Sequence, residues 1–185
     1  MLGRGSDQRS AVGDAVGLFG LVFVAYFLGA VLAWKSFGSA VGPAFFYPSA
    51  GVTAATMMLT SRTRWPAVLV AIVVAEVLVD LYFGNTGGVA AGYALANAVE
   101  PVIGASLTLA WCRGAPNLRA RRDLVAYLVG ACVIAPVFGG LIGGSVTAWH
   151  GETGWMSAVV QWWAGDSIGV LVTATPILLW AKQFP

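Results

Sequence analysis

A polytopic, all-α membrane bundle of about six helices is specified by this sequence, and three observations carry that reading. Hydrophobic residues make up 58% of the 185-residue chain and charged residues 10%, with a mean hydropathy of +0.80. A soluble domain carries about 25% charged residues. The apolar residues fall into six runs, most of them near the roughly 20 residues that a helix needs to cross a bilayer. The bases sit between those runs, nearly all of them in alternate gaps.

The first span is expected at 14–34, ending at Trp34 and Lys35, after a cytoplasmic tail at 1–13. Its apolar run starts late, behind Gly3, Asp7 and Asp14, and is too long for the core of a signal peptide, so it is read as a retained span. The second, at 48–60, is short and is entered through "FFYPSAG". It is expected to be tilted, or preceded by re-entrant backbone, which is tolerated only when other helices shield it. The third, at 66–83, opens at Trp65-Pro66, where proline suits the first turn of a helix. The fourth, at 88–111, follows the turn "FGNTGG". The fifth, at 123–148, carries "GGLIGG", whose Gly139/Gly143 and Gly140/Gly144 pairs let helices approach closely. The sixth, at 156–180, leads to "KQFP". Pro101, Pro136 and Pro176 lie in or near the ends of spans, where each removes a backbone hydrogen bond and can kink its helix. Residues 14–185 thus form one transmembrane domain with no separate soluble part.

With the N-terminus placed in the cytoplasm, the inside loops hold Arg4, Arg9, Arg62, Arg64, Arg113, Arg119, Arg121, Arg122 and Lys182, and the outside loops hold Lys35. Nine bases against one follows the positive-inside rule. It favours an even number of spans with both termini inside.

Four acids fall within the spans: Glu76, Asp80, Glu100 and Asp166. Glu76 and Asp80 stand one turn apart on one face. Asn97 lies one turn outward of Glu100. Every base was assigned to a loop, so no positive side chain remains within the membrane, although Lys35 can snorkel toward Asp80. A bare charge at the bilayer centre costs about 2.5–3.5 kcal/mol on the gentlest scale. Four of them would rival the roughly 5–15 kcal/mol that stabilises a whole fold. Three routes remain open: protonated carboxyls, hydrogen bonds from Asn97, indole N–H groups and hydroxyls, or a wet cavity that admits a cation, an amine or a proton from outside. Against a functional role stands simple interhelical adhesion, worth about 0.6 kcal/mol per bond.

In the sixth span Trp162, Asp166, Gly169 and Thr173 form one stripe. Trp162 and Trp163 can supply indole donors or hold a cation over a ring, or they can be interfacial belt residues. His150 and Glu152 sit in the outer loop "WHGETGW", which reads as solvated and makes a poor metal site. Cys112 and Cys132 have no metal or redox spacing and read as small apolar fillers. No metal, cofactor or nucleic-acid signature is present.

These residues carry a resemblance. "WWAGDSIGVLVTATPILLW" resembles the W-x-G-D-x-x-G-x-L segment of the MASE1 family, through Trp163, Gly165, Asp166, Gly169 and Leu171, with Pro176 following. "YPSAG" at 47–51 resembles the family's W-P-P-S-G entry to an early helix. It keeps Pro48 and Gly51 but has Tyr47 for Trp, Ser49 for the second Pro and Ala50 for Ser. "RTRWPAVLVA" at 62–71 is similar to its R-x-W-P segment. "ANAVEPVIGASL" at 96–107 resembles its N-x-x-E-x-x-x-G-A helix, with Asn97 and Glu100 matching. "LRARRDLVAYL" at 118–128 is similar to its basic cytoplasmic segment. The resemblance spans 45–180, and the order of the pieces carries it more than any one of them.

MASE1 domains are membrane-associated sensors of bacterial signalling proteins. The resemblance implies a multi-pass sensor of the bacterial inner membrane whose stimulus is generally undefined; for this chain a small molecule, an ion or a membrane protein is expected. It implies a cytoplasmic output module, in cis or in trans, such as a histidine kinase or a cyclic-di-GMP enzyme, and a homodimer is expected. Family domains usually continue for about two further helices and then the output module. This chain is therefore expected to be a fragment or a short relative that signals through a partner. The expected ligand and signalling residues are Asp166, Glu100, Asn97, Glu76, Trp162, Trp163 and Asp80. A small proton- or cation-coupled transporter is the alternative, weakened by the lack of an internal repeat. An intramembrane enzyme ranks last, since no H-E-x-x-H occurs.

Overall fold

The computed structural model describes residues 3–36, 45–151 and 153–181, with side chains described from Gly13 onward. Glu152 and Lys182, and the side chains of Arg4, Asp7 and Arg9, lie outside the described residues. The described residues form helices joined by short turns. They are α1 (Gly3–Ser36), α2 (Pro48–Leu59), α3 (Trp65–Tyr82), α4 (Gly87–Cys112), α5 (Arg121–His150) and α6 (Trp155–Ala181). A single 3₁₀ turn, Arg62–Arg64, leads into α3. The expected span boundaries agree with these to within a few residues except at the start of α1, which is already helical from Gly3.

Five of the six helices are long and apolar enough to cross a membrane. The exception is α2, which at 12 residues covers only about 18 Å of a roughly 30 Å hydrocarbon slab. The second span, expected to be short, is a half-length helix. It touches α1, α3, α4 and α6, and nine of its residues are buried, among them Ser49, Thr53, Met57 and Met58. Small side chains at Ala50, Gly51, Ala54 and Ala55 let four neighbours close around it. That enclosure makes the non-helical backbone at Phe45–Tyr47 tolerable.

Two contacts fix the direction of the first passes. Arg64, at the start of α3, pairs with Asp14, low on α1, at 3.2 Å. Trp34 and Phe83, at the far ends of the same two helices, stack at 5.4 Å. Helices α1 and α3 therefore run the same way, and α2 must return between them. On α1, Val22, Tyr26, Ala30 and Ala33 point inward while Leu21, Val24, Leu28 and Leu32 point out, as helical periodicity requires. The turn from α3 to α4 is a Schellman cap: Asn85 N–H bonds to Asp80 O at 2.9 Å and Gly84 N–H to Leu81 O at 3.2 Å, with Gly84 at φ 91°.

The antiparallel passes of α4, α5 and α6 then follow. Gly92 lies against Val146, and Gly130 lies against Leu107 and Thr108. Gly143 sits beneath the Trp162 ring and Gly144 against the Val159 backbone. Both glycine pairs of "GGLIGG" thus serve close packing. Arg62, Arg64, Arg113, Arg119, Arg121 and Arg122 all come to one end of the bundle and Lys35 to the other.

Helices α5 and α6 each contain a stretch of wider π-type turns, Leu128–Ile134 and Val170–Ala174. Each ends two residues before a proline, Pro136 and Pro176. Such turns disturb the regular backbone ladder, and water is absent at this depth to compensate. The two helices compensate each other. Tyr127 O–H donates to Val170 O at 2.8 Å, and Trp163 Nε1–H donates to Val133 O at 3.1 Å.

Candidate functional site

Glu76, midway along the buried face of α3, is the centre of the first polar cluster. Tyr26 O–H from α1 and Tyr47 O–H from the entry to α2 both donate to its Oε2, at 2.9 and 2.6 Å. Asn97 Nδ2–H from α4 donates to its Oε1 at 2.6 Å. The two phenol oxygens stand 3.2 Å apart. Two helices and the segment that enters α2 thus converge on one carboxyl group of α3 through donors alone. Neutral donors supply here what a base would supply elsewhere.

The second cluster is a pair. Glu100, one turn inward of Asn97 on α4, faces Asp166 on α6. Glu100 is 3% exposed and Asp166 2%. Glu100 Oε2 and Asp166 Oδ2 are buried with no hydrogen-bond partner. Room for the Glu100 head comes from Gly139 of α5, where any Cβ would collide with Oε2.

The clusters join through the main chain. Tyr47 N–H bonds to Gly165 O, beside Asp166, at 3.2 Å. A Cβ on Gly169 would collide with Tyr47 O, and a Cβ on Gly51 would stand 2.5 Å from Gly169 O. The entry segment 47–51 and the "WWAGDSIG" segment are therefore two faces of one contact. A polar line runs from Tyr26 and Tyr47 through Glu76 and Asn97 to Glu100 and Asp166.

The remaining expected site residues lie to either side. Asp80, fully buried, accepts from Asn85 Nδ2–H at 2.9 Å through Oδ1, while Oδ2 lacks a partner. Among the described residues Lys35 makes no ion pair with it; the one ion pair there is Arg64–Asp14. Trp162 is buried and donates to Thr147 Oγ1 at 2.9 Å, and its ring meets Tyr93 at 4.9 Å. Its lower face rests on Gly143, so it serves packing and a hydrogen bond. Trp163 is partly exposed and is committed to Val133 O. Among the described residues no group of three or more His, Cys, Asp or Glu could hold a metal ion.

Sequence reasoning missed Tyr26, Tyr47 as a side-chain donor, and Gly139. Tyr26 carried a readable signal, since among the described residues it is the one hydroxyl on the otherwise apolar inner face of α1. For Gly139 no local signal distinguishes a glycine that receives a carboxyl group from one that receives a helix.

The model of the MASE1 family matches residues 18–184, nearly the whole chain. No curated protein and no solved structure matches it.

Proposed function

The chain belongs to the MASE1 family of membrane-associated sensor domains, and from that membership we propose that it is the sensory input domain of a bacterial signal-transduction protein. It sits in the inner membrane with its arginine-rich end and both termini in the cytoplasm. The stimulus acts from the outer side on the polar line at Glu76, Asn97, Glu100 and Asp166. The response passes inward along α6 to a cytoplasmic output module, a histidine kinase or a cyclic-di-GMP enzyme, in cis or in trans.

One observation supports this reading above the others. Glu100 and Asp166 each keep an unpartnered oxygen in a dry interior, where such atoms carry a full desolvation cost. A cation, an amine or a proton arriving there would gain interactions that the resting bundle lacks. It would favour whichever packing of α4 against α6 receives it best. The wide turns at Val170–Ala174 lie directly inward of Asp166, so a shift at the pair reaches the inner end of α6 through a helix already free of strict α-helical pairing.

The test places Asp166→Asn and Glu100→Gln in the protein with its native output and measures the response. Normal insertion with no response supports the proposal, and full response in both variants rejects the site. Uptake by reconstituted vesicles that is lost on Asp166→Asn would instead favour a transporter. Orientation is tested separately by cysteine labelling in a background lacking Cys112 and Cys132. An impermeant maleimide should reach Asn85→Cys and Gly151→Cys in intact cells, and Gly114→Cys only after permeabilisation.

A further inference from the structure

A groove of about 790 Å³ lies at the arginine end, between the last turn of α4 and the first turns of α5. Its lining includes Ala110, Trp111, Arg113, Arg121, Arg122 and Val125. The chain builds it deliberately tight. Arg113 ends α4 in the left-handed region at φ 58°, and Gly114 at φ 146° turns the chain back. Asn117 N–H then bonds to Asp123 Oδ2 at 2.9 Å, and Arg119 N–H to Asn117 Oδ1 at 3.2 Å. The acid nearest the groove is thereby occupied with backbone. Among the described residues no carboxylate lies within ion-pair distance of Arg113, Arg121 or Arg122. Arg122 donates to Trp111 O, a free carbonyl at the end of α4, while no hydrogen bond holds the guanidinium groups of Arg113 and Arg121 among the described residues.

The other wall is apolar and faces outward. Trp111 and Val125 are 43% and 48% exposed, and Leu124 beside them is 36% exposed. This wall continues into the lipid-facing sides of α4 and α5, with a tryptophan at the depth where the interface begins. The groove thus offers positive charge at headgroup level and an acyl-sized apolar surface directly beneath.

We propose that this groove binds an anionic phospholipid, its phosphate held by Arg113, Arg121 and Arg122 and one acyl chain lying along Trp111 and Val125. Guanidinium groups match phosphate oxygens in a two-pronged geometry, and basic pockets between transmembrane helices suit anionic headgroups. A zwitterionic lipid brings an ammonium group into the same cluster of positive charge and is disfavoured. Free phosphate satisfies the arginines but leaves the apolar wall to other lipids. The proposal concerns the α4–α5 end alone and stands whether or not the acid pair receives a stimulus.

The full chain is reconstituted in vesicles of phosphatidylglycerol and phosphatidylcholine in equal parts, extracted in mild detergent, and its retained lipids are measured by native mass spectrometry. The expected result is preferential retention of phosphatidylglycerol. That preference should fall about fivefold for each of Arg113→Gln and Arg121→Gln and be unchanged in Arg62→Gln, at the same end but outside the groove. Arg121→Gln, in regular helix, serves if Arg113→Gln, at its left-handed position, does not fold. Equal retention of the two lipids, an unchanged preference in Arg121→Gln, or an equal loss in Arg62→Gln would overturn the proposal. So would displacement of the retained lipid by excess inorganic phosphate, which would mark the site as one for the soluble anion.

Discussion

The carbonyl oxygen of Tyr47 occupies the space that a Cβ on Gly169 would need. Through this contact the half-length helix α2 is seated on α6 next to Asp166, with Gly51 closing on the same backbone from the other side.

Gly169→Ala should therefore push α2 from α6 and lower stability by about 1–3 kcal/mol, the usual range for overpacking. Gly88→Ala, near the start of α4 with open space around it, should be neutral or slightly stabilising. Thermal unfolding of both variants in the same detergent makes the comparison, and equal melting temperatures would refute the close contact.

Tyr26→Phe and Tyr47→Phe each remove a donor from Glu76 Oε2. Within a membrane each loss should cost about 0.6–2 kcal/mol. Because both hydroxyls serve one oxygen, the costs should be non-additive, and each should shrink in a Glu76→Gln background. A double-mutant cycle on thermal stability gives the coupling; a coupling of zero for both tyrosines would mean that Glu76 is held by Asn97 alone.

Trp163→Phe leaves the Val133 carbonyl without its indole donor. Amide exchange should rise in the wide turns at Leu128–Ile134, while α1 and α3 stay unchanged. Tyr127→Phe should do the same in Val170–Ala174, since it bares the Val170 carbonyl. Hydrogen-exchange mass spectrometry reads both segments. Uniform exchange across the variants would show that backbone partners already suffice.

Gly139→Ala should act on the acid pair without altering any acid. The added methyl group collides with Glu100 Oε2 and forces that carboxyl group to move relative to Asp166. The variant is expected to insert normally and to lose most of the signalling response, as Asp166→Asn does. Gly140→Ala, one residue on but facing the Val159 carbonyl instead, should weaken the α5–α6 packing and serve as the control for stability alone.

Hydropathy along the chain located each long helix because a bilayer demands a contiguous apolar run, a requirement that each segment meets by itself. The same local logic marked 48–60 as unusual, set the arginines at one end, and showed Glu76, Glu100 and Asp166 inside spans with no base among them. What those acids contact was decided only when the helices packed. Tyr26 meets Glu76 across 50 positions, and Glu100 meets Asp166 between helices that are not consecutive. Such pairings depend on rotation and depth of one helix against another, which no periodicity within a segment specifies. Packing also made α2 the buried centre rather than another pass at the rim, because only a short helix of small residues fits where four longer ones converge.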